Sequence, residues 1–155
     1  MGFASDLKIG QSYENQYLTM IDYDSYEISK GCFKPYDIKV MNGDITTTYE
    51  IKADRMTART GNVVIEYKCN GKPSGITSSE ADYWVYFIVG TNTYIKIPTI
   101  MLRQLIIDKK YTKKIKGGDG YRSQMYLFPK NVFEDYLIIP TTPTPPTTPP
   151  TTPII

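Results

Sequence analysis

The chain contains no histidine among its 155 residues. Ser-His-Asp and Cys-His hydrolysis, zinc sites that use histidine, and histidine-based proton transfer are excluded with it. Cysteine is nearly as scarce. Cys32 and Cys69 cannot build a four-Cys zinc site, and no Cys-x-x-Cys occurs. One disulfide is open to them, with two reduced core thiols as the expected state. Net charge is small: 18 Lys and Arg against 16 Asp and Glu leave +2, too little to mark a polybasic nucleic-acid or membrane-surface protein from charge alone. No stretch approaches the ~20 apolar residues of a membrane span. Met1 to Ile9 carries Asp6 and Lys8 where a secretory signal needs an apolar run, and there is no Asn-x-Ser/Thr acceptor. The expectation is an intracellular protein, neither secreted nor membrane-bound. Any catalysis must rest on carboxylates, Lys, Tyr, Ser or a hard metal ion.

What the chain does hold is unevenly spread. From Pro140 to Pro153 the sequence is Thr and Pro only, followed by Ile154 and Ile155. Proline fixes φ and removes a backbone donor, so residues 140–155 should be a disordered, PPII-leaning tail. It is a spacer, or a segment that docks weakly on a partner's aromatic groove. Residues 1–139 make the folded domain, long enough to bury a sizeable core.

Within that domain the first ~20 residues suit a helix, with Ser5-Asp6 able to cap its start and Tyr13, Tyr17, Leu18, Met20 and Ile21 at helical spacing. Gly10 leaves open a restart with Ser12 as cap. Tyr26 to Ser29 is a short strand or a helix end. Tyr36 to Val40 alternates as a strand, and Asn42-Gly43-Asp44 is a hairpin turn leading into the strand Thr46 to Ala53. Asn62 to Lys68 is another strand. Tyr83 to Val89 is nearly all apolar, as a central strand covered on both faces would be. Thr93 to Ile97 follows it. Pro98 then suits the first position of a helix to about Asp108, with Met101, Leu102, Leu105 and Ile106 inward. Lys109 to Lys116 is a basic stretch. A last strand, Ser123 to Phe128, leads into a short helix ending near Tyr136. The order predicts an α/β domain with a mixed sheet flanked by helices.

Period-two geometry singles out Glu50-Ile51-Lys52. Tyr49, Ile51 and Ala53 should be buried on one strand face, leaving Glu50 and Lys52 side by side on the other. A two-residue turn at Gly43-Asp44 pairs residues whose numbers sum to 87, which sets Asp37 opposite Glu50, about 5 Å away between Cβ atoms. Opposed carboxylates repel unless positive charge lies between them. A divalent cation on all-oxygen ligands, Mg²⁺ or Mn²⁺, fits that need. A solvated strand face neutralised by Lys52 or Lys39 is the plainer alternative. Glu14 lies on the first helix's apolar stripe, with Tyr17, Leu18 and Ile21 following it, where a carboxylate needs a partner or a site. The plainer reading is a Glu at the stripe's edge, or one paired with Lys.

Gly10-x-x-x-Glu14 on a first helix, Asp37 on a strand and Glu50-x-Lys52 on the next resemble the PD-(D/E)xK nuclease superfamily. The layout is similar to its Holliday-junction-resolvase-like and small viral or phage members. The superfamily's proline-aspartate pair is present with one residue inserted, as Pro35-Tyr36-Asp37. The stretches Thr60 to Tyr67, Gly71 to Ile76 and Ala81 to Trp84 also resemble such viral and phage nucleases. The likeness spans about residues 9 to 97. It implies a restriction-endonuclease-like core and a Mg²⁺-dependent DNA endonuclease, with Mn²⁺ as the other candidate ion. Asp37 and Glu50 would then bind the metal with the Ile51 carbonyl, and Glu14 would bind it directly or through water. Lys52 would orient the attacking water and stabilise the developing phosphorane charge. Those roles agree with phosphodiester hydrolysis, which needs a deprotonated water and neutralisation of a dianionic transition state.

Contacts to DNA are sought in local charge, since a local basic run matters more than a net charge of +2. The loop Lys72-Pro73-Ser74-Gly75 could hold a phosphate with its backbone amides and Ser74 hydroxyl, and is otherwise an ordinary loop. Arg55 and Arg59 follow the Glu-x-Lys strand. Lys113 and Lys114 lie in the densest basic run, which is a DNA-contacting arm or a solvated face. Trp84 and the many tyrosines are expected in the core, and Glu66 and Asp82 stay outside the catalytic set. Two other functions remain open: a catalytically inactive nucleic-acid-binding or assembly protein on the same fold, and an adaptor acting through its tail. Cutting a junction would require a symmetric homodimer with paired sites.

Overall fold

The computed structural model describes residues 13–31 and 35–140. The Ser5-Asp6 cap, Gly10, Ser12, Cys32 and all of the tail beyond Pro140 lie outside the described residues. Residues 13–18 are helical (α1), and a turn at 19–20 closes the helix. Met20 and Ile21, expected on its stripe, lie past its end yet still pack partly on the core.

Ten strands follow among the described residues: β1 Ser25–Ile28, β2 Ile38–Asn42, β3 Ile45–Asp54, β4 Asn62–Cys69, β5 Lys72–Pro73, β6 Tyr83–Ile88, β7 Thr93–Pro98, β8 Lys113–Gly117, β9 Ser123–Pro129 and β10 Leu137–Ile138. The short helix α2, Thr57–Thr60, and the longer α3, Thr99–Ile107, interrupt them. The central sheet runs β1-β2-β3-β6-β7-β10, and a second sheet runs β5-β4-β9-β8. In the central sheet β3 and β6 are parallel while the other neighbours are antiparallel. This is the expected mixed α/β sheet.

The Gly43-Asp44 turn explains the register of β2 on β3. Gly43 has a positive φ of 62° and Asp44 does not, the pattern of a type II′ turn that suits strand twist. It sets Ile38 opposite Tyr49 and Val40 opposite Thr47. Tyr49 and Ile51 therefore face α1, where they pack with Tyr17, Leu18, Ile38, Val40, Val85, Phe87 and Tyr94. On the reverse face, Trp84, Tyr86, Ile88, Ile95 and Ile97 pack against Val63, Ile65 and Phe128 of the second sheet, with Leu102 of α3 alongside. β6 is thus covered on both faces, and Trp84 to Ile88 are all buried. Each such large side chain removed from water stabilises the fold by about 1.5–3 kcal/mol.

Four local expectations differ from what forms. One flank of the central sheet is covered mainly by a second sheet rather than by helices, because β4 turns away to pair with β9. Pro98 stands just before α3, as its N-cap, with Thr99 as the first helical residue. Met101 is 41% exposed, since the helix packs through the stripe Leu102, Leu105 and Ile106, about 100° further round. Ala53 is also exposed, one residue before β3 ends. The helix α2 has its own local cause. The Asp54 carboxylate accepts from the Met56 and Thr57 amides at 2.5 and 3.1 Å, satisfying donors that a helix start leaves open.

Candidate active site

The register that buries Tyr49 and Ile51 under α1 turns Glu50 and Lys52 the other way, toward the second sheet. Glu50 pairs with Trp84, and Lys52 with Tyr86, on the adjoining parallel strand. Asp37 lies one residue before β2 and is 4% exposed. Its main-chain amide donates to the Tyr49 carbonyl at 2.9 Å. Its carboxylate accepts from the Ile51 amide at 2.6 Å, so the ladder between β2 and β3 is extended by a side chain. Asp37 is held to β3 from two sides, on the strand face it shares with Glu50.

Lys52 Nζ lies 3.3 Å from Glu50 Oε2, and 5.8 Å from the centre of the Trp84 ring. Glu50 exposes 14% of its side chain and Lys52 44%, so the pair opens to solvent through the lysine. Burial pushes the Glu50 pKa up, the Lys52 charge partly offsets this, and the charge and hydrogen bond of Asp37 raise it again, to about 7. Burial lowers the Lys52 pKa, but attraction from Glu50, Asp37 and Glu66 outweighs it and leaves Lys52 above its ordinary value. Three acids therefore act on one ammonium. Lys39, the other neutralising candidate, lies 3.9 Å from Glu27 on β1 instead.

Glu14 is buried, at 7% exposure, on α1. That helix covers the face of the central sheet opposite the one to which Glu50 and Lys52 point. Among the described residues, no three Asp, Glu, Cys or His side chains are grouped closely enough to hold a metal ion.

A cleft of about 540 Å³ lies over the pair. Glu50 and Lys52 line one side, and Lys72, Ser74, Gly75 and Ser79 line the other. Gly75 has φ +53°, and a Cβ there would overlap the Glu66 carbonyl, so glycine is needed for the loop to close against β4. Ser74 Oγ is buried with no hydrogen-bond partner. Ser79 Oγ accepts from Trp84 Nε1 at 3.3 Å and from the Ala81 amide at 3.3 Å. Cys69, a free thiol, also lines the cleft.

No protein-family model matches this chain. No curated protein matches it either. Among solved structures, it is similar to Hjc, a Holliday junction resolvase from the archaeal hyperthermophile Archaeoglobus fulgidus, with 12% identity and a TM-score of 0.45 over 80% of this chain and 86% of that one.

The residues expected to touch DNA fall into two groups. Lys72, Ser74 and Gly75 share the cleft with Glu50 and Lys52. Arg55 and Arg59 are exposed beyond the end of β3 and are not part of the cleft wall. Lys113 and Lys114 lie on β8, the edge strand of the second sheet, and Lys114 Nζ sits 5.8 Å from the ring centres of both Tyr67 and Tyr126. Asp82 has a structural task, accepting from the Thr48 amide at 2.9 Å just before the pairing of β3 with β6 begins. Glu66 carries no mark of a site along its own strand. Its influence on Lys52 depends on the approach of two sheets, which no local spacing reveals. Among the described residues no helix is long and apolar enough to cross a membrane.

Proposed function

We propose that this protein is a metal-dependent DNA endonuclease of the PD-(D/E)xK type, hydrolysing phosphodiester bonds in the cleft above β3. The observation that carries the proposal is the register that sets Asp37 and Glu50 on one strand face beside Lys52, with Lys52 Nζ 3.3 Å from Glu50. A stable fold has no need of two acids on one face with Glu50 raised to about 7.

A divalent cation fits this donor set. The ligands are oxygens, as Mg²⁺ and Mn²⁺ prefer, and the Glu50 pKa is raised first by burial and further by the neighbouring Asp37 charge, both of which a bound cation would offset. Asp37, Glu50 and the Ile51 carbonyl would hold the ion. The chemistry Mg²⁺ supplies when bound is a water of lowered pKa and neutralisation of charge on the phosphoryl oxygens. Lys52 does the rest as a cation. Its pKa lies above the ordinary lysine value, so it stays an ammonium at neutral pH and acts as a hydrogen-bond donor rather than as a base. It orients the attacking water and stabilises the charge that develops as the phosphorane forms. Across the cleft, Lys72 and the Ser74-Gly75 turn hold a neighbouring phosphate. Arg55, Arg59, Lys113 and Lys114 contact the DNA backbone further out. Junctions or flaps are the proposed substrates, and a junction would be cut by a symmetric homodimer inside the cell.

The Glu50–Lys52 ion pair, with no three-acid group among the described residues, favours a second reading. In it the protein binds nucleic acid without cutting. Branched, duplex and single-stranded DNA incubated with the protein in Mg²⁺ or Mn²⁺ separate the two. Asp37→Asn and Lys52→Met serve as controls, since the carboxamide oxygen introduced by Asp37→Asn can still accept from the Ile51 amide. Cleavage by the parent alone supports the nuclease. Equal binding by all three proteins, with no cleavage in either metal, overturns it in favour of the second reading.

A further inference from the structure

The cleft wall opposite the acids is held by a residue outside the site. Arg103 reaches from α3, and its Nη2 donates to two carbonyls of the loop below, Ile76 at 2.9 Å and Ser79 at 2.7 Å. Those carbonyls belong to the segment Ser74 to Ser79, which also carries the unpartnered Ser74 hydroxyl and the Ser79 hydroxyl that holds Trp84. The segment's far end is tied in turn, where the Glu80 amide donates to the Pro35 carbonyl at 2.8 Å, two residues before Asp37. The wall is therefore clamped between α3 and the chain leading into β2.

We propose that Arg103 is a positioning residue for the substrate strand. It sets the height of the Ser74–Ser79 wall so that the Ser74 hydroxyl and the Lys72 ammonium receive one phosphodiester of a strand whose scissile bond lies at Glu50 and Lys52. The proposal rests on the nuclease reading and names how that site grips its substrate. An unpaired buried hydroxyl is unfavourable, and a hydrogen bond donated to a ligand oxygen would recover that loss. Ser74 lines the cleft while its Oγ is buried without a partner, so the position of the wall decides whether that hydroxyl reaches a phosphate oxygen. Charge-assisted bonds from one guanidinium nitrogen to two carbonyls fix that displacement better than a neutral side chain could. The Arg103 charge also stands behind the wall, and adds to the positive field a polyanion meets there.

The test compares the full-length parent with Arg103→Lys, Arg103→Ala, Ser74→Ala and the double variant Arg103→Ala/Ser74→Ala. Affinity for a fluorescein-labelled flap or four-way-junction DNA is read by anisotropy, and KM and kcat by cleavage of the same DNA in Mg²⁺. Emission of Trp84, the chain's one tryptophan, and the urea midpoint verify the fold. Arg103→Ala should raise both Kd and KM about tenfold, the equivalent of about 1.4 kcal/mol, with kcat within about twofold. Arg103→Lys should recover about half of that loss on a logarithmic scale. In the double variant the two effects should be clearly less than multiplicative, because Arg103 acts through Ser74. Unchanged affinity in Arg103→Ala, a fall in kcat alone, a fully multiplicative double variant, or a loss that only tracks the urea midpoint overturns the proposal. A parent that binds but does not cut refutes the nuclease while the affinity arm still judges Arg103. A parent that neither binds nor cuts refutes both.

Discussion

Replacing Glu50 by glutamine should stabilise the metal-free protein above neutral pH and do so less and less as the solution is acidified. Glu50 has its pKa raised from 4.5 to about 7 in the folded chain. At about 1.4 kcal/mol for each tenfold change in the proton equilibrium, that difference corresponds to roughly 3 kcal/mol. Glu50 keeps 14% of its side chain in contact with solvent, and Lys52 keeps 44%. Screening at the cleft mouth should therefore reduce the effect to about 2 kcal/mol. The sign follows from which state binds the proton. Below pH 4.5 both folded and unfolded chains are protonated at Glu50, and the folded state loses nothing there. Between pH 4.5 and 7 the unfolded chain ionises while the folded one retains its proton, so this group's contribution to stability falls as pH rises. Above pH 7 the loss is complete. Lys52 remains charged in both states throughout this range, so it does not alter the direction. Urea unfolding of parent and Glu50→Gln in EDTA, at about pH 4.5, 6 and 8.5, reads the effect directly. The stability of the variant relative to the parent should rise by about 2 kcal/mol from the lowest pH to the highest, about 8 °C in Tm for a domain of this size. Adding Mg²⁺ at about 100 times its Kd should return about 2.7 kcal/mol to the parent and little to the variant. A difference between the two proteins that does not change with pH, or that favours the parent more as pH rises, would refute the account of Glu50 given above.

Three further outcomes are expected. Gly75→Ala should cost about 2–4 kcal/mol in urea unfolding, because φ +53° strains alanine and its Cβ meets the Glu66 carbonyl; a loss under about 0.5 kcal/mol would mean the loop is free to move away. Leu102→Ala should cost about 3 kcal/mol and Met101→Ala less than about 1 kcal/mol, since the first is fully buried and the second 41% exposed; equal losses would contradict the placement of α3. Removing residues 141–155 should leave cleavage within about twofold and the urea midpoint unchanged, whereas loss of activity on truncation would move the function to the Thr/Pro segment.

The part of the fold legible in the sequence was the part specified by neighbours along the chain. Alternation in Tyr36 to Val40 and the β-branched run Thr46 to Ala53 marked two strands, formed as Ile38–Asn42 and Ile45–Asp54, and Asn42-Gly43-Asp44 joined them. Side-chain direction repeats every two residues, so the turn alone carried the register, and Ile38 does lie opposite Tyr49. From that register the shared face of Asp37, Glu50 and Lys52 could be reached by spacing alone. The continuous apolar run from Tyr83 likewise announced a strand buried on both sides. The pairing of β4 with β9 was not legible. Val63 lies opposite Phe128, far along the chain, and nothing local says which apolar strand will be its neighbour. Met101 misled for a related reason: a helix dense in apolar residues offers several stripes, and its packing partners choose one.

Residue types by themselves settled which chemistry was available. Without histidine, only carboxylates, lysine and hydroxyls could serve, and their spacing put two acids and a lysine on one strand face. Tertiary structure decided how those groups behave. A pKa depends on desolvation and on charges brought near through space, so Glu50 at about 7 and the hold of Glu66 on Lys52 arise only when two sheets close over them. The cleft, its unpartnered Ser74 hydroxyl and the Arg103 clamp belong to that same meeting of distant segments, which is where the sequence pattern stops and packing begins.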